Sequence, residues 1–263
     1  MKALIDGDIL RYQVGYACED KSYLVLDKDF DATDPMYVAA SFKKKKDAEK
    51  WINKESCYIL QEVILPKPFE IVEYILDHIK SKILFRTDAD DYETFLTGGK
   101  SFRKDLHPDY KAHRDTSHKP VYYSRIGSYL IDHWNARYAR EGLEADDELG
   151  ILQTDDTVIV TTDKDLDTIP GWHYNWVKDK KYYINEYDAI YNLWLQMLTG
   201  DPVDNIKGLP KIGTVKAKKL LGDKTPNEMD FFVLKTYVDY GMEEDFYKNL
   251  KLLTILREYP DEK

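Results

Sequence analysis

Residues 143–150 read LEADDELG, and four carboxylates lie within five consecutive positions of this stretch. Carboxylates this close together repel one another if all are ionised away from water, so a cation or solvent must lie among them. Three other short stretches are also acidic, and they contain Asp6 and Asp8, then Asp163, Asp165 and Asp167, then Asp201 and Asp204. The sequence therefore predicts a cation site to which several distant stretches contribute.

Two of these acidic stretches directly follow apolar runs that are typical of buried strands, Ala3–Ile5 and Thr157–Val160. Strands of this kind alternate with helical patterns along the chain, which predicts an α/β fold with a mostly parallel central sheet covered by helices on both faces. Because the carboxyl ends of parallel strands lie at one edge of a sheet, we expect the acidic stretches to meet there.

The remaining pattern divides the chain into two parts. Pro68 is expected to open a helix with a core-facing apolar stripe, and a strand is expected at Ile83–Phe85, ending near Asp88. Residues 89–119 are polar, basic and without regular periodicity, which is typical of a functional or mobile segment. No strand pattern follows from Thr199 onward, so we expect an α/β domain over 1–198 and a helical subdomain over 199–263.

The formal net charge is −10, which at first argues against a polyanionic partner. The distribution of charge favours one, because two basic segments flank the acidic stretches. Residues 100–125 hold seven Lys and Arg against three Asp, and residues 206–224 hold six Lys against one Asp. Divalent cations bound to the carboxylates would further reduce the negative charge of the working face.

The cysteine content and the hydropathy pattern predict an intracellular protein. Cys18 and Cys57 are far apart and not in a metal-ligand spacing, so free thiols in a reducing compartment are expected. No apolar run approaches the roughly 20 residues that span a bilayer, and the N-terminus does not resemble a signal peptide. We therefore expect a cytoplasmic protein without membrane contact, in the host cytoplasm if the source is viral.

The ligand chemistry of the acidic stretches points to magnesium. Mg²⁺ and Mn²⁺ prefer carboxylate oxygens and water, and the sequence offers no Cys/His grouping for zinc. Seven or more carboxylates from four places exceed what one six-coordinate ion requires, which predicts a pair of Mg²⁺ ions, with Mn²⁺ as a substitute. Two ions roughly 4 Å apart can activate water and stabilise the leaving oxygen in phosphodiester hydrolysis.

Each acidic stretch taken alone also has an ordinary structural explanation. LEADDELG could be an acidic helix start stabilised by the helix dipole, and Asp201 and Asp204 could be cap and turn residues. Helical geometry further predicts that Glu144 lies just before the first turn, since Asp146 and Asp147 cannot both share a helix face with it. The convergence of all four stretches is what favours a metal site.

Residues 200–221 read GDPVDNIKGLPKIGTVKAKKLL and, besides their acidic residues, contain a pattern that indicates phosphate binding. GLPKIG predicts a tight connection between two helices, and backbone N–H groups at the following helix start could bind phosphate without reading bases. The alternative is a plain helical hairpin with solvated lysines. The candidate DNA-binding residues here are Gly208, Lys211, Gly213, Thr214, Lys216, Lys218 and Lys219.

Several motifs occur in the order seen in the 5′ nuclease superfamily: Asp6 in LIDGD, YKAHR at 110–114, LEADD, TTDKDLDTIP and GDPVDNIKGLPKIG. HPDYKAHR and DKDLDTIP most resemble bacteriophage 5′-to-3′ exonucleases, and the likeness covers residues 3–12 and about 83–215. The resemblance implies a monomer with a PIN-like domain over 1–198, a flexible arch over 89–119, and a helix-three-turn-helix motif that also holds K⁺.

The resemblance also assigns roles to individual residues. The first metal ion would be held by Asp6, Asp88, Glu144 and Asp146, with Asp90 or Asp91 as replacements for Asp88. The second would be held by Asp163, Asp165, Asp201 and Asp204, with Asp147 bridging the ions or supporting their ligands. Lys111 and Arg114 would contact the scissile phosphate, and Tyr110 would stack on the terminal base. The residues expected to carry catalysis are Lys111, Arg114, Asp6, Glu144, Asp163 and Asp201.

These observations predict a metal-dependent 5′-to-3′ exonuclease and 5′-flap endonuclease that cleaves DNA and leaves 5′-phosphates. Two alternatives remain open at this point. One is an RNA-primer-removing enzyme that acts on RNA·DNA hybrids, and the other is a DNA-binding accessory protein that has lost hydrolysis. A PIN-type ribonuclease is disfavoured, because it would lack the 200–221 segment.

Overall fold

The structure, a computed structural model, describes residues 1–27, 38–52, 58–112 and 118–260 of the 263-residue chain. Within these ranges the strands are β1 (Lys2–Asp6), β2 (Glu19–Asp27), β3 (Val38–Phe42), β4 (Tyr58–Pro66), β5 (Asp91–Leu96), β6 (Arg137–Tyr138), β7 (Thr157–Val160), β8 (Gly171–Asn175), β9 (Lys180–Ile184), β10 (Gly200–Asp201) and β11 (Ile206–Lys207). The helices are α1 (Gly7–Ala17), α2 (Lys45–Ile52), α3 (Phe69–Thr87), α4 (Phe102–Leu106), α5 (Tyr123–Trp134), α6 (Ala145–Leu152), α7 (Glu186–Thr199), α8 (Thr214–Leu221), α9 (Pro226–Asp239) and α10 (Glu243–Leu253).

A central sheet, six-stranded within the described ranges, has the order β6-β5-β1-β7-β8-β9. All neighbours from β6 to β8 are parallel, and β9 returns antiparallel to β8. Ile5 on β1 lies level with Thr94 on β5 and with Val160 on β7, so these strands end at the same edge. The predicted α/β fold with a mostly parallel sheet is confirmed, including both of the apolar runs that identified its central strands.

Helices bury both faces of this sheet. On β1, Ala3 and Ile5 pack into one cluster with residues of α1, α3 and α5, whereas Leu4 packs into a second cluster with Leu149 of α6 and Ile255. A strand covered on both sides carries apolar residues at every position, not at alternate ones. This burial explains why the sequence shows short continuous apolar runs, and each such side chain contributes roughly 1.5–3 kcal/mol.

The predicted strand at Ile83–Phe85 is wrong, because helix α3 continues through Thr87. Ile83 is fully buried, while Phe85 is largely exposed. In a strand these two side chains would lie on the same face, so this burial pattern is typical of a helix. Asp88 then ends the helix in the left-handed region, with a φ of 57°. A run of three apolar residues is too short for periodicity to separate helix from strand.

The expectation of an irregular arch over 89–119 also needs correction. Its first part contains β5, which lies between β1 and β6 inside the central sheet, and helix α4 follows at Phe102–Leu106. Phe95 and Leu96 of β5 are buried, so this part belongs to the core of the central sheet. Residues 113–117 lie outside the described residues, and the arch itself stays a prediction for the segment around them.

Strands β2 and β3 pair antiparallel with each other and not with the central sheet. Strand β4 pairs with β2 on the other side, and helix α2 packs on this sheet of three described strands. The described residues between 19 and 66 therefore form a small unit beside the main sheet.

The C-terminal part is helical as expected, apart from a short ribbon. Gly200–Asp201 pairs antiparallel with Ile206–Lys207, so the expectation of no strands after Thr199 is wrong for these residues. Trp194 and Leu198 of α7 share a hydrophobic cluster with Leu221, Val233 and other residues of the last three helices. The division at residue 198 stays a prediction. Among the described residues, no helix has both the length and the apolarity to cross a bilayer.

Candidate metal centre

A cavity of about 270 Å³ opens at the carboxyl edge of the central sheet. Among the described residues, seven carboxylates line it: Asp6, Asp8, Glu144, Asp146, Asp163, Asp165 and Asp204. They come from the ends of β1 and β7, the start of α6 and the β10–β11 ribbon. The structure thus brings together acidic residues from all four stretches that the sequence singled out.

Asp6 is held in place by the turn from β1 into α1. Its Oδ1 accepts the N–H of Ile9 at 3.1 Å, and its Oδ2 accepts the hydroxyl of Thr161 at 2.9 Å. Gly7 makes this turn possible, because a Cβ there would lie 2.7 Å from the carbonyl oxygen of Phe95. Burial raises the pKa of Asp6 to about 7, and the negative charges of Asp8 and Asp163 contribute to the rise.

Glu144 lies at the N-cap of α6, as helical geometry predicted. Its Oε1 accepts the amine of Lys111 at 2.8 Å, and its Oε2 accepts the hydroxyl of Tyr110 at 2.9 Å. Asp146 follows in the first turn and faces the cavity. Burial raises the pKa of Asp146, the charge of Asp6 raises it further, and Lys111 opposes the rise.

Asp147 does not act as an ion ligand, because its side chain is fully buried and paired within the protein. Its two carboxylate oxygens accept N–H groups of the Arg103 guanidinium at 2.7 and 2.8 Å. Of the two roles left open for Asp147, bridging the ions is wrong, and support of the ligands remains.

The turn after β7 positions Asp163 and Asp165 through side-chain to backbone hydrogen bonds. The hydroxyl of Thr161 accepts the N–H of Asp163, and the carboxylate of Asp163 accepts the N–H of Asp165, both at 3.0 Å. This local pattern directs both carboxylates toward the same edge as Asp6. Asp167, the third acid of the stretch, accepts the hydroxyl of Tyr182 at 2.8 Å and does not line the cavity.

Asp165, Asp201 and Asp204 form a compact acidic group, with one carboxylate oxygen of each lying within 4.8 Å of the others. Burial raises the pKa of Asp165 to about 7, and the charges of Asp163 and Asp201 add to this effect. Buried carboxylates with raised pKa values and oxygen-only donors are a good fit for hard divalent cations. The residues present therefore suit the kind of ion that the sequence predicted.

Asp88 lies at the wrong edge of the sheet to be a ligand. It precedes β5, which runs parallel to β1 with Lys2 level with Asp91, so it lies roughly 13 Å or more along the strands from Asp6. The alternatives are wrong for the same reason, since Asp91 pairs with Lys2 at 3.0 Å and Asp90 pairs with the N-terminal amine at 3.3 Å.

Tyr110 is only 3% exposed, so the prediction that it stacks on a nucleic-acid base is wrong for this conformation. Its hydroxyl lies 2.9 Å from Glu144 and 3.2 Å from Asp204, and thus connects acids of two different stretches. Lys111 lines the cavity, and its amine lies 2.8 Å from Glu144 and 3.7 Å from Asp204. Arg114 lies outside the described residues, and its role stays a prediction.

Sequence reasoning left several residues of the cavity wall without an assigned role. Asp8 is an acid to which the motifs assign no role, and its Oδ2 accepts the N–H of Thr97 at 3.0 Å. Tyr12 lies four residues later on the same face of α1, which is a detectable helical spacing. Lys104, Lys119 and Tyr123 also line the cavity. The sequence shows that this region is basic, but not that these side chains point into the cavity.

The 200–221 segment places Gly213 at the N-cap of α8, with Lys216, Lys218 and Lys219 exposed on that helix. Lys211 is exposed and Thr214 begins the helix, as the phosphate-binding prediction requires. Gly208 has a packing role, because a Cβ there would overlap the backbone of Thr199 and Gly200. The helix-three-turn-helix motif stays a prediction.

No family model matches the chain. The chain is 26% identical over 253 residues to an exodeoxyribonuclease of Enterobacteria phage T3, which covers 88% of this chain and 76% of that protein. It is also 26% identical over 255 residues to an exonuclease of Escherichia phage T7, covering 88% and 77%. A solved structure of a phage T5 flap endonuclease with DNA and metal ions covers 96% of this chain and 88% of its own, at 17% identity and a TM-score of 0.55, and supports the fold. The chain is thus similar to phage exonucleases over most of its length, and its fold is similar to that of the phage T5 flap endonuclease, in line with the resemblance of its motifs.

Proposed function

We propose that this chain is a divalent-metal-dependent 5′ nuclease that hydrolyses DNA phosphodiester bonds, both as a 5′-to-3′ exonuclease and at 5′ flaps. The observation that carries the proposal is the convergence of carboxylates from four stretches on one cavity at the sheet edge. The relatives from phages T3 and T7 are named as exonucleases, and the T5 structure contains DNA and metal ions. The products are expected to carry 5′-phosphates.

Two groups of residues would hold a pair of Mg²⁺ ions, for which Mn²⁺ can substitute. The first group is Asp6, Glu144 and Asp146, and the second is Asp163, Asp165, Asp201 and Asp204. Bound there, the ions would supply activation of water and stabilisation of the leaving oxygen. The close spacing of Asp165, Asp201 and Asp204 and the raised pKa of Asp165 support the second group.

Lys111 supplies a positive charge next to the acidic residues of this cavity, which Lys104 and Lys119 also line. Its amine now donates to Glu144, and an incoming phosphate oxygen can take the place of that acceptor. Because donors fixed in a partly buried site stabilise developing charge more than donors in water do, this exchange favours the reaction. Arg114 is proposed to act beside Lys111 on the same phosphate.

We propose that the 200–221 segment binds the DNA duplex at a second place, outside the cavity. There it would form a helix-three-turn-helix motif with K⁺ bound through backbone carbonyls. The N-terminus of α8 and the exposed lysines after it support this proposal, since both attract phosphate without reading sequence. We further propose that the protein acts as a monomer in the host cytoplasm.

The accessory-protein alternative is disfavoured, because a group of buried carboxylates destabilises the folded protein and would have no role in a protein without hydrolytic activity. The hybrid-specific alternative differs only in substrate. Labelled 5′-flap, nicked, single-stranded and RNA·DNA substrates, each with and without a blocked 5′ end, separate these possibilities in Mg²⁺ and in EDTA. We expect cleavage of the flap and nicked DNA in Mg²⁺ alone; preference for the hybrid would instead favour primer removal.

Variants test the ligand assignment directly. Asp163→Ala and Asp201→Ala should each lower Mg²⁺-dependent cleavage by at least about 100-fold while DNA binding in EDTA persists, because a metal ligand is lost and the binding surface is not. Asp88→Asn is the matched control, since it changes an acid at the opposite edge of the sheet, and asparagine tolerates the left-handed backbone there. Unchanged turnover in Asp163→Ala would refute the proposal.

A further inference from the structure

Arg103 on α4 is 3% exposed although its guanidinium is charged. Its Nη1 donates to Asp147 at 2.7 Å and to Glu144 at 3.2 Å, and its Nη2 donates to the other oxygen of Asp147 at 2.8 Å. The remaining N–H groups bind backbone carbonyls, Nε to Leu252 at 2.9 Å and Nη2 to Thr254 at 2.7 Å. All five guanidinium N–H groups are thus paired, which a buried charge requires.

The two acids that bind Arg103, Asp147 and Glu144, differ in what their carboxylate oxygens contact. Asp147 also accepts the N–H of Glu144 at 3.0 Å and the N–H of Leu256 at 3.2 Å, so its oxygens are used entirely on protein donors. Glu144 gives one oxygen to Arg103 and Tyr110 and points the other toward Lys111 at the cavity. Arg103 therefore fixes the direction of a carboxylate that faces the metal centre without itself lining the 270 Å³ cavity.

The same guanidinium connects the metal centre to the end of α10 and the residues that follow it. Leu252, Thr254 and Leu256 each make one backbone hydrogen bond to Arg103 or Asp147, about 110 to 150 residues away in sequence. Leu252, Leu253 and Ile255 also line a small cavity of about 30 Å³ directly behind Glu144 and Asp204. Residues 252–256 are thus the rear wall of the acidic site.

We propose that Arg103 is a positioning residue for the metal centre, which orients the Glu144 carboxylate and fastens residues 252–256 behind it. The inference rests on the proposed function in one respect, namely that Glu144 binds a divalent ion. Arginine is required because its planar fork serves two carboxylates and two carbonyls at once, which the ammonium group of lysine cannot do. Arg103→Lys therefore keeps the charge and removes the orientation.

The first experiment measures Mn²⁺ binding to the whole protein by calorimetry and by electron paramagnetic resonance, without any DNA. Loss of a residue that orients a metal ligand typically weakens metal affinity by about 10-fold to 100-fold, and we expect this for Arg103→Lys. The matched control is Arg257→Gln, which removes a bidentate arginine–glutamate pair with Glu186 on the surface. Wild-type affinity in a folded Arg103→Lys variant would overturn the inference.

A double-mutant cycle distinguishes positioning from a general structural role. If Arg103 acts through Glu144, Arg103→Lys should weaken Mn²⁺ binding little further in a Glu144→Gln background. Losses that simply add would mean that Arg103 affects the metal centre by another route, and would contradict the proposal.

A measurement on the wild-type protein covers the case in which Arg103→Lys does not fold. In arginine-selective NMR, the Nε–H signal of Arg103 should shift as Mg²⁺ is added, while that of Arg257 should stay in place. No shift at saturating Mg²⁺ would overturn the inference. If the wild type binds Mn²⁺ but cleaves no DNA, the proposed nuclease activity fails and the role of Arg103 stands, so the two failures are distinguishable.

Discussion

At the scale of single residues, Asp6 and Asp165 should make the metal-free protein less stable as pH rises. Both have a pKa raised from 3.8 to about 7, mainly by burial and then by neighbouring carboxylates. Between about pH 4 and pH 7 the unfolded chain has released these protons while the folded chain keeps them, so the free energy of unfolding falls over this range. Each unit of pKa shift corresponds to about 1.4 kcal/mol.

Urea unfolding in EDTA at pH 5 and pH 8 measures this effect, and the midpoint should be lower at pH 8. Asp6→Asn should reduce the pH dependence, because it removes one of the carboxyl groups whose pKa is raised. Mg²⁺ at pH 8 should restore stability, since a bound cation favours the ionised carboxylates. An equal or higher midpoint at pH 8 in EDTA would contradict the prediction.

At the scale of elements, the success of each secondary-structure prediction depended on the length and clarity of the apolar pattern in that element. The runs at β1 and β7 predicted their strands and the edge at which they end, because burial on both faces leaves a clear apolar signal. Ile83–Phe85 was too short a run, and the error carried the metal-ligand prediction to Asp88 at the opposite edge. The polar residues around β5 concealed a strand whose buried part is short, and burial of Tyr110 and Arg103 had no local signal.

Helix α8 carries the next prediction, which concerns DNA binding. Replacing Lys216, Lys218 and Lys219 together with Gln should weaken duplex binding and lower the salt slope by about one for each phosphate that the helix no longer neutralises. The matched control replaces Lys43, Lys44 and Lys46, three equally exposed lysines at the start of α2, and should leave the slope unchanged. Fluorescence anisotropy at several salt concentrations measures both, and equal effects of the two triple variants would disfavour a specific surface at α8.

At the scale of the whole molecule, the packing of residues 252–256 on α6 should contribute to stability. A Cβ at Gly150 would lie 2.5 Å from the carbonyl oxygen of Leu256 and 2.9 Å from Ile255, so Gly150→Ala must displace this segment. Overpacking of this kind costs about 1–3 kcal/mol. Gly99→Ala is the control, because no described atom lies within 4 Å of a Cβ there. Urea unfolding should show a loss for Gly150→Ala alone, and equal midpoints would refute the packing argument.

The sequence predicted the meeting of the acidic stretches because strand ends in a parallel sheet share an edge. It could not predict the rear wall of the site, because residues 252–256 have no acidic motif and contact Arg103 and Asp147 mainly through backbone groups. Contacts of this kind depend on how distant elements pack, and a linear pattern carries no signal of them.

The backbone contacts between Arg103 and the carbonyls of Leu252 and Thr254 also determine when, during translation, the acidic pocket can close. A nascent chain that has reached only residue 251 carries every acidic side chain of the pocket and Arg103, but not the backbone carbonyls that hold Arg103 or the apolar side chains that enclose the pocket from behind. The pocket can become complete only after residue 256 has left the ribosome, so the proposed nuclease activity would arise late in the synthesis of the protein.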